Sequence, residues 1–304
     1  MDETGALLAR ARDGTRVRCA TWAAVPGTSQ RGVCALFNGQ TEFFEKYVEV
    51  VGELRARGFA VATLDWRGQG GSMRSLPDAL KAHVGDFEEY DRDVDAFVEQ
   101  VLKPIGGGPR IALAHSMGGH ILLRILHARP GTFAAAVMTA PMLEADTRGY
   151  PASLARVICR LHNLNGVSSD WVWGMDKRDP LALTFEDNLV TSDRARFART
   201  QAIIAANPII RLAGPTWGWL EAAYRSMARL RTPGFAEAIA TPVLIVGAGR
   251  DRIVKTAAAR KFANRLPDCT YLEIEDAEHE ILMENDAIRA RFWAAFDAFV
   301  NRIE

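Results

Sequence analysis

The sequence predicts an α/β fold: a mostly parallel central sheet, helices on both faces, and a helical cap inserted late in the chain. Three observations carry this. Short apolar runs alternate with amphipathic stretches over most of the 304 residues, the pattern of strand–helix–strand crossovers. One run, Ile111-Ala-Leu-Ala-His115, stops at Ser116-Met-Gly-Gly119 and passes straight into helical spacing at Ile121, Leu122, Ile125 and Leu126. The alternation then breaks from about residue 142 to 232 and resumes at Pro242-Val-Leu-Ile-Val-Gly247. The chain therefore divides into a core domain, residues 1–141 and 233–304, and a cap, residues 142–232.

In order along the chain, Asp13-Gly14 is a hairpin turn signal between residues 6–12 and 16–25, read as an antiparallel pair that starts the sheet. Val33-Cys-Ala-Leu-Phe37 is a short strand ending at Asn38-Gly39-Gln40. Residues 43–57 read as a helix with Phe44, Tyr47, Val48, Val51 and Leu54 on one face and Gly58 as its stop. Residues 59–64 form the next strand, running into the glycine-rich loop Asp65-Trp-Arg67-Gly-Gln-Gly-Gly-Ser72. An amphipathic helix over 87–102 closes at Lys103-Pro104. After the Ser116 helix come a strand at 133–139 and the irregular helical stretch. The strand at 243–247, a helix at about 256–266, a strand at 270–274 and a helix at about 285–300 complete the core.

Composition bounds the function. Hydrophobic content of 48%, charged content of 24% and a formal net charge of +0 describe a soluble globular chain. No Lys/Arg block offers a field for nucleic acid, so none is expected as a partner. Cys19, Cys34, Cys159 and Cys269 are scattered without metal-type pairing and suggest a reducing compartment and buried thiols, with two distant disulfides as the alternative. The acidic N-terminus, Met1-Asp-Glu-Thr-Gly, lacks a signal-peptide pattern, and no apolar run approaches the ~20 residues that span a bilayer. A cytoplasmic protein, peripheral at most at the inner face of the membrane, is expected.

A serine at the apex of a strand–turn–helix is either a nucleophile held in a strained elbow or an ordinary helix cap. Ala114-His-Ser116-Met-Gly118 differs from the ideal Gly-x-Ser-x-Gly by one methyl. A serine nucleophile needs a base, and the base needs a group that holds its tautomer. In open α/β sheets such groups gather at the carboxyl ends of strands. Asp251 follows the strand ending at Gly247, and His279 follows the strand ending at Ile274. Read singly, Asp251 is a turn or cap residue and His279 a polar loop histidine; together with Ser116 they fall in the order Ser, Asp, His. Asp276 competes for the role of Asp251 but stands close to His279 in sequence. His115 is expected to point elsewhere, His120 and His127 to pack or lie at the surface, and His83 and His162 have no strand-end context. Glu280 reads as a solvated neighbour of His279. The oxyanion of acyl transfer needs donors: the N–H of Met117, and the N–H of Gln40 in the loop after the early strand, which otherwise is a plain turn.

These motifs resemble those of the α/β-hydrolase superfamily, and within it the group of monoacylglycerol lipases and bacterial lysophospholipases. The likeness rests on Asn38-Gly39, Asp65 to Ser72, Ala114 to Gly119, Asp251 and His279-Glu280, and covers most of the chain outside the cap. Two positions depart from the family pattern: Asn38 stands for its usual histidine and Ala114 for its usual glycine. The resemblance implies a lid and hydrolysis of carboxylic esters through an acyl-enzyme, with no metal or organic cofactor, and makes Asp65 and Arg67 structural. The substrate class is then a small ester, such as a lysophospholipid or monoacylglycerol. An acyltransferase or a hydrolase of a non-lipid acyl substrate is the alternative, and a non-catalytic binding protein on the same fold a third. Ser116 argues against the aspartate-nucleophile chemistry of dehalogenases and epoxide hydrolases.

The insertion is placed to fold over the strand ends. It holds Trp171, Trp173, Trp217 and Trp219, four of the seven tryptophans, with Leu181, Leu183, Ile203, Ile204, Ile209, Ile210 and Leu212. These residues either form the cap's own core or wall a substrate pocket, and the four tryptophans are taken as substrate-binding residues. Such a lid also allows transient contact with a membrane surface.

Overall fold

The computed structural model describes residues 5–147, 152–176 and 179–303; the acidic Met1–Thr4 stretch lies outside the described residues. An eight-stranded sheet forms the core. Its strands are β1 (Gly5–Arg10), β2 (Arg16–Trp22), β3 (Gly32–Phe37), β4 (Phe59–Leu64), β5 (Arg110–His115), β6 (Ala135–Thr139), β7 (Val243–Ala248) and β8 (Cys269–Ile274). They lie in the spatial order β1-β2-β4-β3-β5-β6-β7-β8. The Asp13-Gly14 hairpin joins β1 and β2 antiparallel, β2 meets β4 antiparallel, and every later pairing is parallel.

Every residue of β3, β4, β6 and β7 is buried, which explains why those strands read as continuous apolar runs rather than alternating ones. Alternation survives as a division between faces. Val33, Ala35 and Phe37 of β3 join one apolar cluster, and Cys34 and Leu36 join the other, because successive side chains leave a strand on opposite sides. The first layer is covered by α2 (Glu88–Phe97) and α3 (Met117–Ala128). The second is covered by α1 (Val48–Ala56) and the C-terminal α8 (Asp286–Ile303), with α7 (Thr256–Ala263) back on the first side. Phe37 anchors the first layer against Trp66, Phe97 and Phe133, with ring centroids 5.5, 5.8 and 6.0 Å away.

Two helix boundaries differ from expectation. The helix expected over 43–57 opens as a 3₁₀ turn at Phe44–Tyr47 before α1 begins. Gly58 ends it with φ 87°, where a Cβ would also meet the Ser29 carbonyl oxygen at 2.6 Å. Pro104 does not close the helix over 87–102. The chain continues through a π-helical turn at Val98–Leu102 and a helical turn at Lys103–Ile105. Pro104 sits in the first turn of that last piece, where its missing N–H is not needed, and Gly106 at φ 63° ends it.

Between β6 and β7 the chain forms α4 (Ala152–Leu164), α5 (Arg194–Ala206) and α6 (Trp217–Leu230). Asp193 caps α5 through the Arg196 N–H at 2.8 Å. Thr216 caps α6 by accepting from the Trp219 N–H at 3.3 Å. A two-residue ladder pairs Lys81–Ala82 with Gly214–Pro215. His120, fully buried on α3, bonds to the Met142 carbonyl oxygen through Nδ1 at 2.8 Å and to Ser226 Oγ on α6 through Nε2 at 2.7 Å. These links hold the inserted helices over the C-terminal ends of the strands.

Candidate active site

Ser116 stands between β5 and α3 with φ 51° and ψ −114°, a region that non-glycine residues rarely occupy. Its N–H donates to the Thr139 carbonyl at 3.0 Å, and its own carbonyl accepts from the His120 and Met142 amides at 3.1 and 3.0 Å. The strain is thus held by backbone on both sides. Gly118 is required by packing: a Cβ there would lie 2.6 Å from the carbonyl oxygens of Phe37 and Asn38. Ala114 is fully buried on β5 opposite Phe37, so its methyl is accommodated in the core.

Asp251 follows β7 and His279 follows β8, and the structure brings both to Ser116. His279 Nδ1 is 2.7 Å from Asp251 Oδ2, and His279 Nε2 is 3.0 Å from Ser116 Oγ. With Nδ1–H donating to the carboxylate, Nε2 is left to accept from the serine hydroxyl. The other Asp251 oxygen accepts from the Ile253 and Val254 amides at 2.8 and 2.9 Å. Burial pushes this carboxyl up, but His279 and the two amides more than offset it, and its pKa lies below the usual value. Asp276 is exposed and pairs with Arg291 at 2.7 Å, away from the histidine.

Met117 is the first residue of α3, so its N–H has no partner inside the helix. Gln40 lines the same cavity as Ser116 and His279, and its side-chain Nε2 is buried without a hydrogen-bond partner. The loop that carries it is tied down repeatedly. Asn38 Nδ2 donates to the Leu64 carbonyl at 3.0 Å, Trp66 Nε1 to the Asn38 carbonyl at 2.8 Å, and Gln69 Nε2 to the Gly39 carbonyl at 2.7 Å. Asn38 therefore secures the loop from the position the family gives to histidine. Asp65 accepts from Arg18, Phe44 N–H and Gly71 N–H, and Arg67 pairs with Asp93 and Asp13; both are structural ties.

The cavity above Ser116 has a volume of about 590 Å³. Leu183, Ile204, Ile210, Leu212 and Trp219 from the inserted segment and Ile253 from the core supply an apolar wall. Of the four tryptophans expected at substrate, Trp219 alone lines this cavity; its Nε1 donates to Tyr90 Oη at 3.0 Å. Trp217 is buried and stacks on His162, with centroids 4.0 Å apart. Trp171 pairs with Thr216 and, with Trp173, borders a separate shallow pocket at Lys81, Asp170 and Asp176. Trp173 is 68% exposed, as is Ile209. The reason is geometric: the chain turns at Trp173–Gly174 just after the Trp171 bridge, and Trp217 and Trp219, two residues apart on α6, leave the helix on different sides.

Two further expectations are corrected. Glu280 is not solvated: it is buried against Lys46 Nζ at 2.5 Å. His115 does not point away: its ring centroid lies 4.8 Å from that of His279, and its Nδ1 is bonded to Thr139 Oγ1 at 3.1 Å. Burial drives its pKa down to about 3, so it stays neutral.

With this geometry in hand, comparisons with known proteins agree. Residues 28–286 match the family described as Hydrolase_4, serine aminopeptidase S33. Lysophospholipase L2 of Escherichia coli K12 is 34% identical over 281 residues, covering 89% of this chain and 80% of that protein. A monoacylglycerol lipase of Mycolicibacterium smegmatis is 27% identical over 260 residues, covering 83% and 81%. Among solved structures, a soluble variant of monoglyceride lipase from Saccharomyces cerevisiae superposes with a TM-score of 0.77 at 19% identity, covering 100% of this chain and 98% of that one. A carboxyl esterase from Bacillus coagulans gives 0.76 at 16% identity, covering 100% and 99%. At such identities the structural likeness speaks for the α/β-hydrolase fold alone.

Proposed function

We propose, for a chain that belongs to the Hydrolase_4 (serine aminopeptidase S33) family, that it is a serine hydrolase of single-chain lipid esters, of the lysophospholipase or monoacylglycerol lipase kind. The observation that carries this is the Ser116–His279–Asp251 hydrogen-bonded row at the floor of a cavity with an apolar wall. The names of the curated relatives support the lipid substrate.

In this reading Ser116 Oγ attacks the ester carbonyl carbon while His279 Nε2 takes the hydroxyl proton. Asp251 stabilises the imidazolium, and the Met117 and Gln40 amides bind the oxyanion. His279 then gives the proton to the leaving alcohol. In the second half-reaction it takes a proton from water, which attacks the acyl-enzyme, and returns it to Ser116. The acyl chain runs along Leu183, Ile204, Ile210, Leu212 and Trp219. Each buried methylene contributes about 0.8 kcal/mol, so two added carbons raise kcat/KM by roughly tenfold until the wall is covered.

The inserted segment also offers a face for transient contact with a lipid surface. Leu154, Val157, Leu161 and Leu164 are 48, 54, 53 and 73% exposed in one row on α4, with Arg156 and Arg160 exposed between them. An amphipathic helix with basic residues beside its apolar row suits a bilayer interface. Among the described residues no helix is long and apolar enough to cross a membrane. All four cysteines are free, which fits a reducing, cytoplasmic location.

The test is fluorophosphonate labelling followed by a panel of esters differing in chain length and head group. Ser116→Ala is expected to abolish labelling and to lower esterase turnover by roughly 10⁴-fold or more. Native turnover in that variant removes Ser116 as nucleophile. A preference for acetate over octanoate esters removes the lipid reading and leaves the serine hydrolase.

A further inference from the structure

Beside the Ser116–His279–Asp251 row lies a second buried polar cluster that ester hydrolysis as written leaves unused. Glu42, two residues past Gln40, turns its carboxylate back toward its own loop. Oε2 accepts from the Gly39 N–H and from Tyr47 Oη, the latter at 2.6 Å; Oε1 accepts from Lys46 Nζ at 2.7 Å. The same ammonium donates to Glu280 Oε1 at 2.5 Å. The Lys46, Glu42 and Glu280 side chains are only 7, 5 and 12% exposed.

We propose that Lys46 is a positioning residue that clamps the loop carrying Gln40 to the loop carrying His279, through Glu42 on one side and Glu280 on the other. This rests on the reading of Ser116, His279 and Asp251 as an ester-hydrolysing triad. Gly39 immediately precedes Gln40 and Glu280 immediately follows His279. One ammonium therefore connects the segment that offers an oxyanion donor to the segment that holds the base. The loop is built around this contact: a Cβ on Gly39 would stand 2.8 Å from Glu42 Oε2 and 3.2 Å from the His115 ring. Thr41 adopts φ 65° in the same turn. A buried ion cluster is in general a poor source of stability, since a well-packed apolar set does as well. Its use here is geometric, because donors and base act only when placed to within a fraction of an ångström.

The cluster also carries charge. Two carboxylates face one ammonium, and the adjoining His115 is neutral, so one net negative charge stands beside His279. The groups that face His279 are Asp251, His115, Ser116, Glu280 and, through it, Lys46 and Glu42. The Lys46 ammonium holds Glu42 ionised against burial, at about 2, whereas burial keeps Glu280 above its usual range.

The test uses the whole protein with a medium-chain ester, a trifluoromethyl ketone as transition-state analogue, and Lys46→Met, Lys46→Arg and Glu280→Gln. Lys46→Met is expected to lower kcat by roughly 10- to 100-fold with KM within about twofold, the scale of a misplaced catalytic group. The analogue should weaken by the same factor, and Lys46→Arg should restore most of the loss. The acid limb of kcat/KM should move to higher pH in Lys46→Met, where an unbalanced negative charge favours imidazolium, and to lower pH in Glu280→Gln. Native kcat and analogue affinity in a folded Lys46→Met, or limbs that stay in place, overturn the clamp. If Lys46→Met does not fold, Glu280→Gln decides alone: native kcat with an unmoved acid limb overturns the proposal. Absence of fluorophosphonate labelling in the native protein refutes the triad reading instead, so the two failures are distinct.

Discussion

His279 Nδ1 and Asp251 Oδ2 meet at 2.7 Å across 28 residues of sequence, whereas Asp276, three residues from the histidine, turns outward to Arg291 at 2.7 Å. Asp251 is buried and Asp276 half exposed. Asp251→Asn is therefore expected to lower kcat by roughly 10³- to 10⁴-fold, since the amide no longer fixes the histidine tautomer. Asp276→Asn should stay within about threefold of native. Steady-state kinetics on one ester checks both, and the opposite ranking moves the acid to Asp276.

Stability at low pH should depend on Glu42. Its folded-state pKa, about 2, lies below the ordinary value of 4.5. The stabilisation it contributes is thus present above about 4.5 and lost as pH falls toward 2. The gap in melting temperature between native protein and Glu42→Gln should be widest above pH 5 and shrink steadily down to pH 3. A gap that is constant over that range excludes a depressed Glu42.

Chain-length selectivity should respond to Trp219 and not to Trp173. Trp219 lines the cavity and Trp173 faces solvent. Trp219→Leu is expected to flatten the rise of kcat/KM between butyrate and decanoate esters, while Trp173→Ala leaves the slope unchanged. The reverse result places the acyl chain along the second, shallow pocket.

Contact with a lipid surface should run through α4. Leu161→Asp with Leu164→Asp removes two of its four exposed apolar residues. In co-sedimentation with mixed neutral and anionic vesicles, the bound fraction should fall severalfold, while turnover of a short, soluble ester stays at the native rate. Equal binding by both proteins assigns the contact elsewhere.

The parts of the site that were legible in the sequence share one property: each is announced by local pattern. Ser116 ends an apolar run beside two glycines, and Asp251 and His279 each follow a strand, so fold class and the three residues could be read from neighbours in the chain. Lys46 and Glu280 could not, because their pairing spans 234 residues and each looks like a surface residue among charged neighbours. The only local hint was the four-residue spacing of Glu42 and Lys46. The tryptophans misled for a related reason. Their clustering in sequence carries no statement of facing, which is set by the Trp171–Thr216 bridge and by Thr216 capping α6. The continuation of helix past Lys103 was hidden because Pro104 occupies a first-turn position, the one place where proline does not stop a helix.

The loop behind His279 is sewn to the segment before α5. The Glu280 N–H donates to the Val190 carbonyl at 2.8 Å, Thr191 Oγ1 to the Met283 carbonyl at 2.7 Å, and the Ser192 N–H to Glu284 Oε1 at 3.1 Å. In the proposed mechanism residues 190–192 are thus tied to the base rather than to the rest of the inserted segment, and an opening of that segment would swing about this seam. The consequence reaches into genetics. A random-mutagenesis screen for lost turnover should return hits at Thr191 and Ser192 beside those at Ser116 and His279, and should spare exposed Thr184 and Glu186 nearby, which do not line the cavity.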